Sequence, residues 1–254
     1  MGTYLVMIAG YVIRFVGPAA VSALGLGTSI LVSPTPTASA EPCPDAQVVF
    51  ARGTGEDPGI GPTGQAFVDN LRGREVGKSV DVYAVNYPAS NDWETGLDGI
   101  RDATGHVMSM AGSCPKTRMV LGGFSQGAAV MGFVTSAAVP DGVDPATVPK
   151  PLAPEIADHV AAVVLFGMPN VRAMNFLGQP PVVIGPTYAA KTIKVCATDD
   201  PVCSDGMNFS AHNTYADDGS WIDKGASFAA GQINTSPPGP ASVVRSPNGG
   251  SFGN

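Results

Sequence analysis

Apolar residues in this chain gather into short, nearly unbroken runs instead of alternating with polar ones. Five runs have the length of a strand: Gln47–Ala51, Val80–Asn86, Thr117–Leu121, Val160–Phe166 and Thr192–Cys196. Each is rich in β-branched residues. A continuous apolar strand is one covered on both faces, the usual state of a strand in a parallel sheet between helices. The intervening segments Gly64–Leu71, Trp93–Ala111, Gly127–Ala138 and Ile222–Ile233 are compatible with helix. In the second of these, Leu97, Ile100, Ala103, Thr104, Val107 and Met110 recur at helical spacing, and in the last Phe228 and Ile233 fall on the inner side. Strands alternating with helices predict a three-layer α/β/α sandwich around a central, mostly parallel five-stranded sheet. Ligands of such sheets bind at the carboxyl ends of the strands.

The 254 residues, 44% hydrophobic, suffice for one core, which the pattern places in a domain over 41–234. No internal repeat is visible. Beyond it, 235–254 is rich in Pro, Gly and Ser with Arg245 as its one charge, and reads as a disordered tail. A net charge of −7 with no cluster of Lys or Arg argues against a nucleic-acid partner and against an anionic membrane surface.

The first forty residues carry a single charge, Arg14, between the apolar stretches Tyr4–Ile13 and Phe15–Val32, and end in Ala38-Ser39-Ala40. Residues 1–40 therefore read as a signal peptide. An uncleaved anchor is the alternative, but Gly17, Pro18, Gly25 and Gly27 interrupt the longer stretch. Export makes the four cysteines disulfide partners. Cys196 and Cys203 are too close in sequence to need distant partners, so Cys43–Cys114 and Cys196–Cys203 is the preferred pairing. No cysteine or histidine cluster has zinc spacing, so no metal or cofactor is expected.

Candidate chemistry begins at Gly123-Phe124-Ser125-Gln126-Gly127, at the end of the third strand and the start of a helical segment. This is the pattern of a nucleophile elbow, in which flanking glycines make room for a strained turn that lifts a serine out of the sheet. Such a pentapeptide recurs by chance in a chain this rich in glycine, so its partners must carry the argument. A serine nucleophile needs an imidazole to take its proton. Of the three histidines, His106 lies inside a helical segment and His159 opens the fourth strand at its amino end. His212 alone follows the last strand in the chain order serine, acid, histidine. Asp199, Asp200 and Asp205 all qualify as the acid, and pattern does not choose between Asp199 and Asp200 inside the ring Cys196–Cys203. The backbone N–H of Gln126 and a donor from Ala51-Arg52-Gly53-Thr54-Gly55-Glu56, with Thr54 offering both N–H and hydroxyl, form the candidate oxyanion hole. This loop lacks the Gly-Lys-Ser/Thr ending of a phosphate loop.

The chain resembles the cutinase family, in its bacterial, secreted branch, over nearly all of Cys43–Ile233. The resemblance rests on Val49-Phe50-Ala51-Arg52-Gly53-Thr54, Tyr83-Ala84-Val85-Asn86-Tyr87-Pro88, Gly122-Gly123-Phe124-Ser125-Gln126-Gly127, and the ring Cys196–Cys203 followed by His212. It implies a cutinase-like α/β-hydrolase fold and hydrolysis of carboxylic esters of acyl chains, from lipid or polyester. It also implies Ser125 as nucleophile, Asp200 as acid, His212 as base, Thr54 and Gln126 in the oxyanion hole, and the disulfide pairing already preferred. Fungal members often have serine where Thr54 stands, and the proline-rich stretch Val139–Glu155 reads as an insertion before the fourth strand. Met174, Phe176, Leu177, Met207 and Phe209 are candidates for contact with an acyl chain. The expectation is a secreted monomeric serine esterase. The same triad also suits a lipase, phospholipase A or thioesterase, and a catalytically silent lipid-binding surface protein is the rival from another class.

Overall fold

The structure, a computed structural model, describes residues 42–235. The expected signal peptide (1–40) and the expected tail beyond Thr235 lie outside these residues. Strands β1 (Ala46–Ala51), β2 (Val80–Ala84), β3 (Arg118–Phe124), β4 (Val160–Phe166) and β5 (Thr192–Val195) form one sheet in the order β2-β1-β3-β4-β5. All four pairings are parallel.

Every strand coincides with an expected apolar run. β3 continues three residues further than its run, because Gly122 and Gly123 stay paired with Phe50 and Ala51 on one side and with Val164 and Leu165 on the other. The glycine that hides the strand in the sequence has a packing reason: a Cβ on Gly122 would sit 2.7 Å from the Phe50 ring.

The helices are α1 (Gly61–Arg74), α2 (Gly96–Ser113), α3 (Gln126–Val134), α4 (Val171–Phe176), α5 (Pro186–Ala189) and α6 (Gly219–Ile233). α1 and α6 pack together on one face of the sheet, and α2 and α3 on the other. Strand β1 shows why its run is unbroken. Val48 and Phe50 enter the core with Phe67, Phe166 and Ile222, while Val49 and Ala51 enter the second core with Val107, Leu121 and Met131. Burying each large apolar side chain of this kind contributes about 1.5–3 kcal/mol.

Helix boundaries differ from expectation by a few residues, two of them for clear local reasons. α1 starts earlier, since Gly61-Pro62 places a proline in its first turn, where the missing N–H costs nothing. α3 stops at Val134 because the hydroxyls of Thr135 and Ser136 bond back to the carbonyls of Met131 and Gly132, offering the backbone an alternative to another turn. The six-residue α4 and four-residue α5 are too short to show a helical period in the sequence. Among the described residues no helix is long and apolar enough to cross a membrane.

Disulfides join Cys43 to Cys114 and Cys196 to Cys203. The first ties the segment before β1 to the end of α2. The second closes a small ring just after β5. From β1 the chain turns one way to β2 and the other way to β3, and this switch point opens a crevice at the carboxyl ends of β1 and β3.

Candidate active site

Ser125 sits in that crevice, between the last residue of β3 and the first of α3. Its backbone is left-handed, with φ 52° and ψ −118°, and its N–H donates to the Phe166 carbonyl at 3.0 Å. A non-glycine residue held there stores about 1–3 kcal/mol of strain. The flanking glycines permit the turn: a Cβ on Gly127 would collide with the Ala51 carbonyl, and one on Gly123 with the backbone of Gly127. This is the strand–turn–helix geometry of a nucleophile elbow.

His212 lies in a turn of 3-10 helix, Phe209–Asn213. Its Nε2 is 2.8 Å from Ser125 Oγ and its Nδ1 is 2.8 Å from Asp200 Oδ2. The ring is held between Phe124, stacked at a centroid distance of 5.1 Å, and Tyr215, set edge-on at 6.1 Å. Asp200 is fully buried. Its Oδ1 accepts the Val202 N–H at 2.8 Å, and its Oδ2 also accepts the Tyr215 hydroxyl at 2.8 Å. Burial pushes the Asp200 carboxyl up, but the bonds from His212, Val202 and Tyr215 outweigh it and hold the group below its ordinary value. The carboxylate stays charged where it meets the imidazole.

The other candidates are occupied elsewhere. His106 stacks on Tyr83 with its Nε2 2.7 Å from Gln47 Oε1, and His159 Nδ1 lies 3.1 Å from the Pro115 carbonyl. Asp199 is exposed, with φ 67°, and its carboxylate accepts the Met207 N–H. Asp205 is also exposed, 3.9 Å from Arg172. Of the three acids, Asp200 is the one that bonds to His212.

The loop after β1 is braced from several directions. Buried Arg52 donates to the carbonyls of Tyr87 at 2.6 Å, Pro88 at 3.3 Å and Glu56 at 2.8 Å. The Gly53 N–H donates to Glu56 Oε2 at 2.6 Å, and the Gly55 N–H to the Ala89 carbonyl at 2.7 Å. Burial pushes the Glu56 carboxyl up, opposed by the Gly53 N–H and by Arg52. Between these braces stands Thr54, half-buried. Gln126 opens α3, so no helical turn uses its N–H. Its side chain is buried and donates through Nε2 to the Ser90 carbonyl at 3.0 Å.

Tyr215, Arg52 and Glu56 were not singled out from the sequence. A faint signal existed for Tyr215, an aromatic residue three positions after His212 in an otherwise polar loop. Of the apolar candidates, Met174 is buried and lines a cavity beside α3, whereas Phe176, Met207 and Phe209 are exposed. Cys196, Asp200 and Cys203 bring three metal-type ligand atoms within 4.8 Å of one another. The two sulfurs are bonded to each other, so neither offers a thiolate.

Fold and site together define a protein of α/β-hydrolase type. A family model described as Cutinase matches residues 42–233. The chain is 58% identical over 167 residues to the probable carboxylesterase Culp5 of Mycobacterium tuberculosis, covering 66% of this chain and 95% of that protein. It is 44% identical over 215 residues to the phospholipase Culp4 of the same organism, covering 84% and 90%. Among solved structures, a Trichoderma reesei cutinase in complex with a phosphonate inhibitor is 29% identical with a TM-score of 0.56, covering 76% of this chain and 78% of that one. An acetyl xylan esterase is 25% identical with a TM-score of 0.61, covering 76% and 100%. This chain belongs to the cutinase family and is a carboxylic ester hydrolase.

Proposed function

We propose that the chain is a secreted serine esterase that cleaves esters of acyl chains, in lipid or polyester, through an acyl-enzyme. Ser125 Oγ attacks the ester carbonyl as His212 Nε2 takes its proton, and Asp200 holds the imidazole in the required tautomer and stabilises its charged form. The oxyanion is met by the N–H groups of Gln126 and Thr54, each such donor supplying about 2.7–4 kcal/mol of transition-state stabilisation. The alcohol leaves with the proton from His212. Water then attacks the acyl-enzyme by the same route, and Ser125 is restored.

The observation that carries this reading is the hydrogen-bonded chain Ser125–His212–Asp200, with 2.8 Å at both links. Two disulfides suit an oxidising compartment outside the cell. The test is a fluorophosphonate and a short p-nitrophenyl ester on the disulfide-intact chain. We expect one label on Ser125 and a burst of p-nitrophenol, both absent from a folded Ser125→Ala variant. Turnover surviving in that variant, or no labelling of the parent chain, overturns the assignment in favour of another nucleophile or a silent lipid-binding protein.

Phospholipase action is a second reading, favoured by the 44% identity to Culp4. Relative rates on a phospholipid, a p-nitrophenyl ester and an acyl thioester decide between them.

A further inference from the structure

Between α2, α3 and the segment 139–151 lies a cavity of about 410 Å³, within the range of roughly 300–1,000 Å³ usual for small-molecule sites. Gln126 lines it; Ser125 and His212 do not. Its walls are mostly apolar, with Leu97 and Ile100 from α2, Phe133 from α3, and Val143 and Val148 from the 139–151 segment, and Glu94 and Lys150 add charged groups to the lining.

The sequence explains how this space stays open. Segment 139–151 exposes Asp141, Asp144 and Lys150 and leaves Val139, Val143 and Val148 half-buried. Asp144 folds it by accepting the Ala146 N–H at 2.9 Å, and Arg101 on α2 donates to the Thr147 carbonyl at 2.8 Å, closing it onto the helix as a roof. The apolar stripe of α2 is thereby divided. Ala103 and Val107 are buried in the core, whereas Leu97, Ile100 and Thr104 are half-buried and face the cavity. Protein interiors are otherwise close-packed, so a roofed apolar space on this scale is a built feature.

Gln126 joins the cavity to the site. Its side chain is 1% exposed, and its Oε1 meets no hydrogen-bond donor among the described residues. An acyl chain brings no donor to this oxygen, so Gln126 connects cavity and site by its place directly after Ser125 and in the cavity wall, not by a hydrogen bond to the chain.

We infer that this cavity receives the acyl chain of the ester, an inference that rests on Ser125 being the nucleophile. Three directions leave the reacting carbon. When the tetrahedral intermediate collapses, the bond from carbon to the alcohol oxygen breaks and His212 gives that oxygen the proton it took from Ser125. The alcohol therefore lies against His212. The carbonyl oxygen faces the N–H groups of Gln126 and Thr54. The acyl chain takes the remaining direction, away from His212, and the cavity is lined by Gln126 and by no residue from 199 to 212.

The test compares kcat/KM of the full chain on p-nitrophenyl acetate, butyrate, octanoate and dodecanoate with acetate esters of alcohols of matching length, all kept below micelle formation. Burial of each methylene raises kcat/KM about fourfold along the acyl series until the cavity is full, while the alcohol series stays flatter. Leu97→Trp and Val143→Trp, on different walls, each lower the octanoate-to-acetate ratio at least about tenfold, and either one suffices if the other does not fold. A flat acyl series, a gradient on the alcohol instead, or unchanged ratios in the folded variants overturns the proposal. No turnover of any ester together with no fluorophosphonate label on Ser125 overturns the esterase reading instead. Chain binding is then read without activity. Trp93 lines the cavity and Trp221 is the other tryptophan of the chain, so 12-bromododecanoate should quench the emission of a Trp221→Phe variant saturably. Absence of saturable quenching there overturns the cavity as a site for acyl chains.

Discussion

The hydroxyl of Tyr215 and the imidazole of His212 meet the same oxygen, Oδ2 of Asp200, each at 2.8 Å. Tyr215 is fully buried and its hydroxyl also accepts the Ala197 N–H at 2.8 Å, so it spans the base of the Cys196–Cys203 ring. Burial raises its own pKa, helped by the Asp200 carboxylate, so it remains a donor throughout the working range. Tyr215→Phe removes this donor and leaves the Ala197 N–H without its partner. We expect a stability loss of about 1–3 kcal/mol in urea unfolding. A kcat reduced severalfold should come with an acid limb moved to higher pH, because one of the bonds that lowers the Asp200 carboxyl has gone. An unmoved pH profile would leave Tyr215 a packing residue only.

Asp199 and Asp200 are neighbours with opposite surroundings, one exposed and the other fully buried. Under the proposed mechanism Asp200→Asn loses the charge that fixes the His212 tautomer, and kcat should fall by a factor on the order of 10,000. Asp199→Asn preserves both the acceptor to Met207 and tolerance of φ 67°, and should change kcat less than twofold or so. Steady-state kinetics on one soluble ester separate the two.

The lowered carboxyl of Asp200 also makes a pH statement about folding. A group whose folded pKa lies below its unfolded value stabilises the fold above the unfolded value, near 3.8 here, and that contribution disappears as pH falls through the folded value. Exposed Asp45, lowered by its bonds from Ser79, acts in the same direction. Thermal melts should therefore drop steeply below about pH 4. The gap between the parent chain and Asp200→Asn should narrow over the same window. A gap that widens on acidification contradicts the assignment of charge.

The two disulfides should separate stability from activity. Cys43–Cys114 closes a span of 71 residues and Cys196–Cys203 one of 7, which by loop entropy alone correspond to about 4 and about 2.5 kcal/mol. Replacing the first pair by serine should lower the melting temperature more and spare kcat at 25 °C. Replacing the second should lower kcat more, since its ring carries Asp200. Equal effects on both readouts would show that the ring does not position the acid.

How much of this was legible beforehand follows burial. Strands β1 to β5 announced themselves because both faces are covered and little polar residue interrupts them, and His212 was isolated because His106 and His159 fell on elements pointing elsewhere. Asp200 was not separable from Asp199 by pattern, since what distinguishes them is a single left-handed residue at 199 that turns one carboxylate outward. The cavity was hidden for another reason. Its roof reads as a proline-rich connection, and the stripe Leu97, Ile100, Thr104 reads as ordinary core until the structure shows Ala103 and Val107 carrying the packing.

Glu56 offers the last test, of the oxyanion loop. Its Oε2 accepts the Gly53 N–H beside Thr54, its backbone carbonyl accepts Arg52, and a Cβ on Gly61 would collide with its carboxylate, so the loop is folded tightly around it. Removing the side chain frees the Gly53 peptide next to Thr54, the donor proposed for the oxyanion, whose placement then loosens. Glu56→Ala should lower kcat about tenfold to a hundredfold with little change in KM, the signature of an interaction made only in the transition state. Glu56→Gln keeps an acceptor for the Gly53 N–H and removes a carboxyl that burial already pushes up, so it should recover most of the loss. A Glu56→Ala variant that instead raises KM at constant kcat would place the residue in substrate binding and leave the loop after β1 braced by Arg52 and by the Gly55–Ala89 bond.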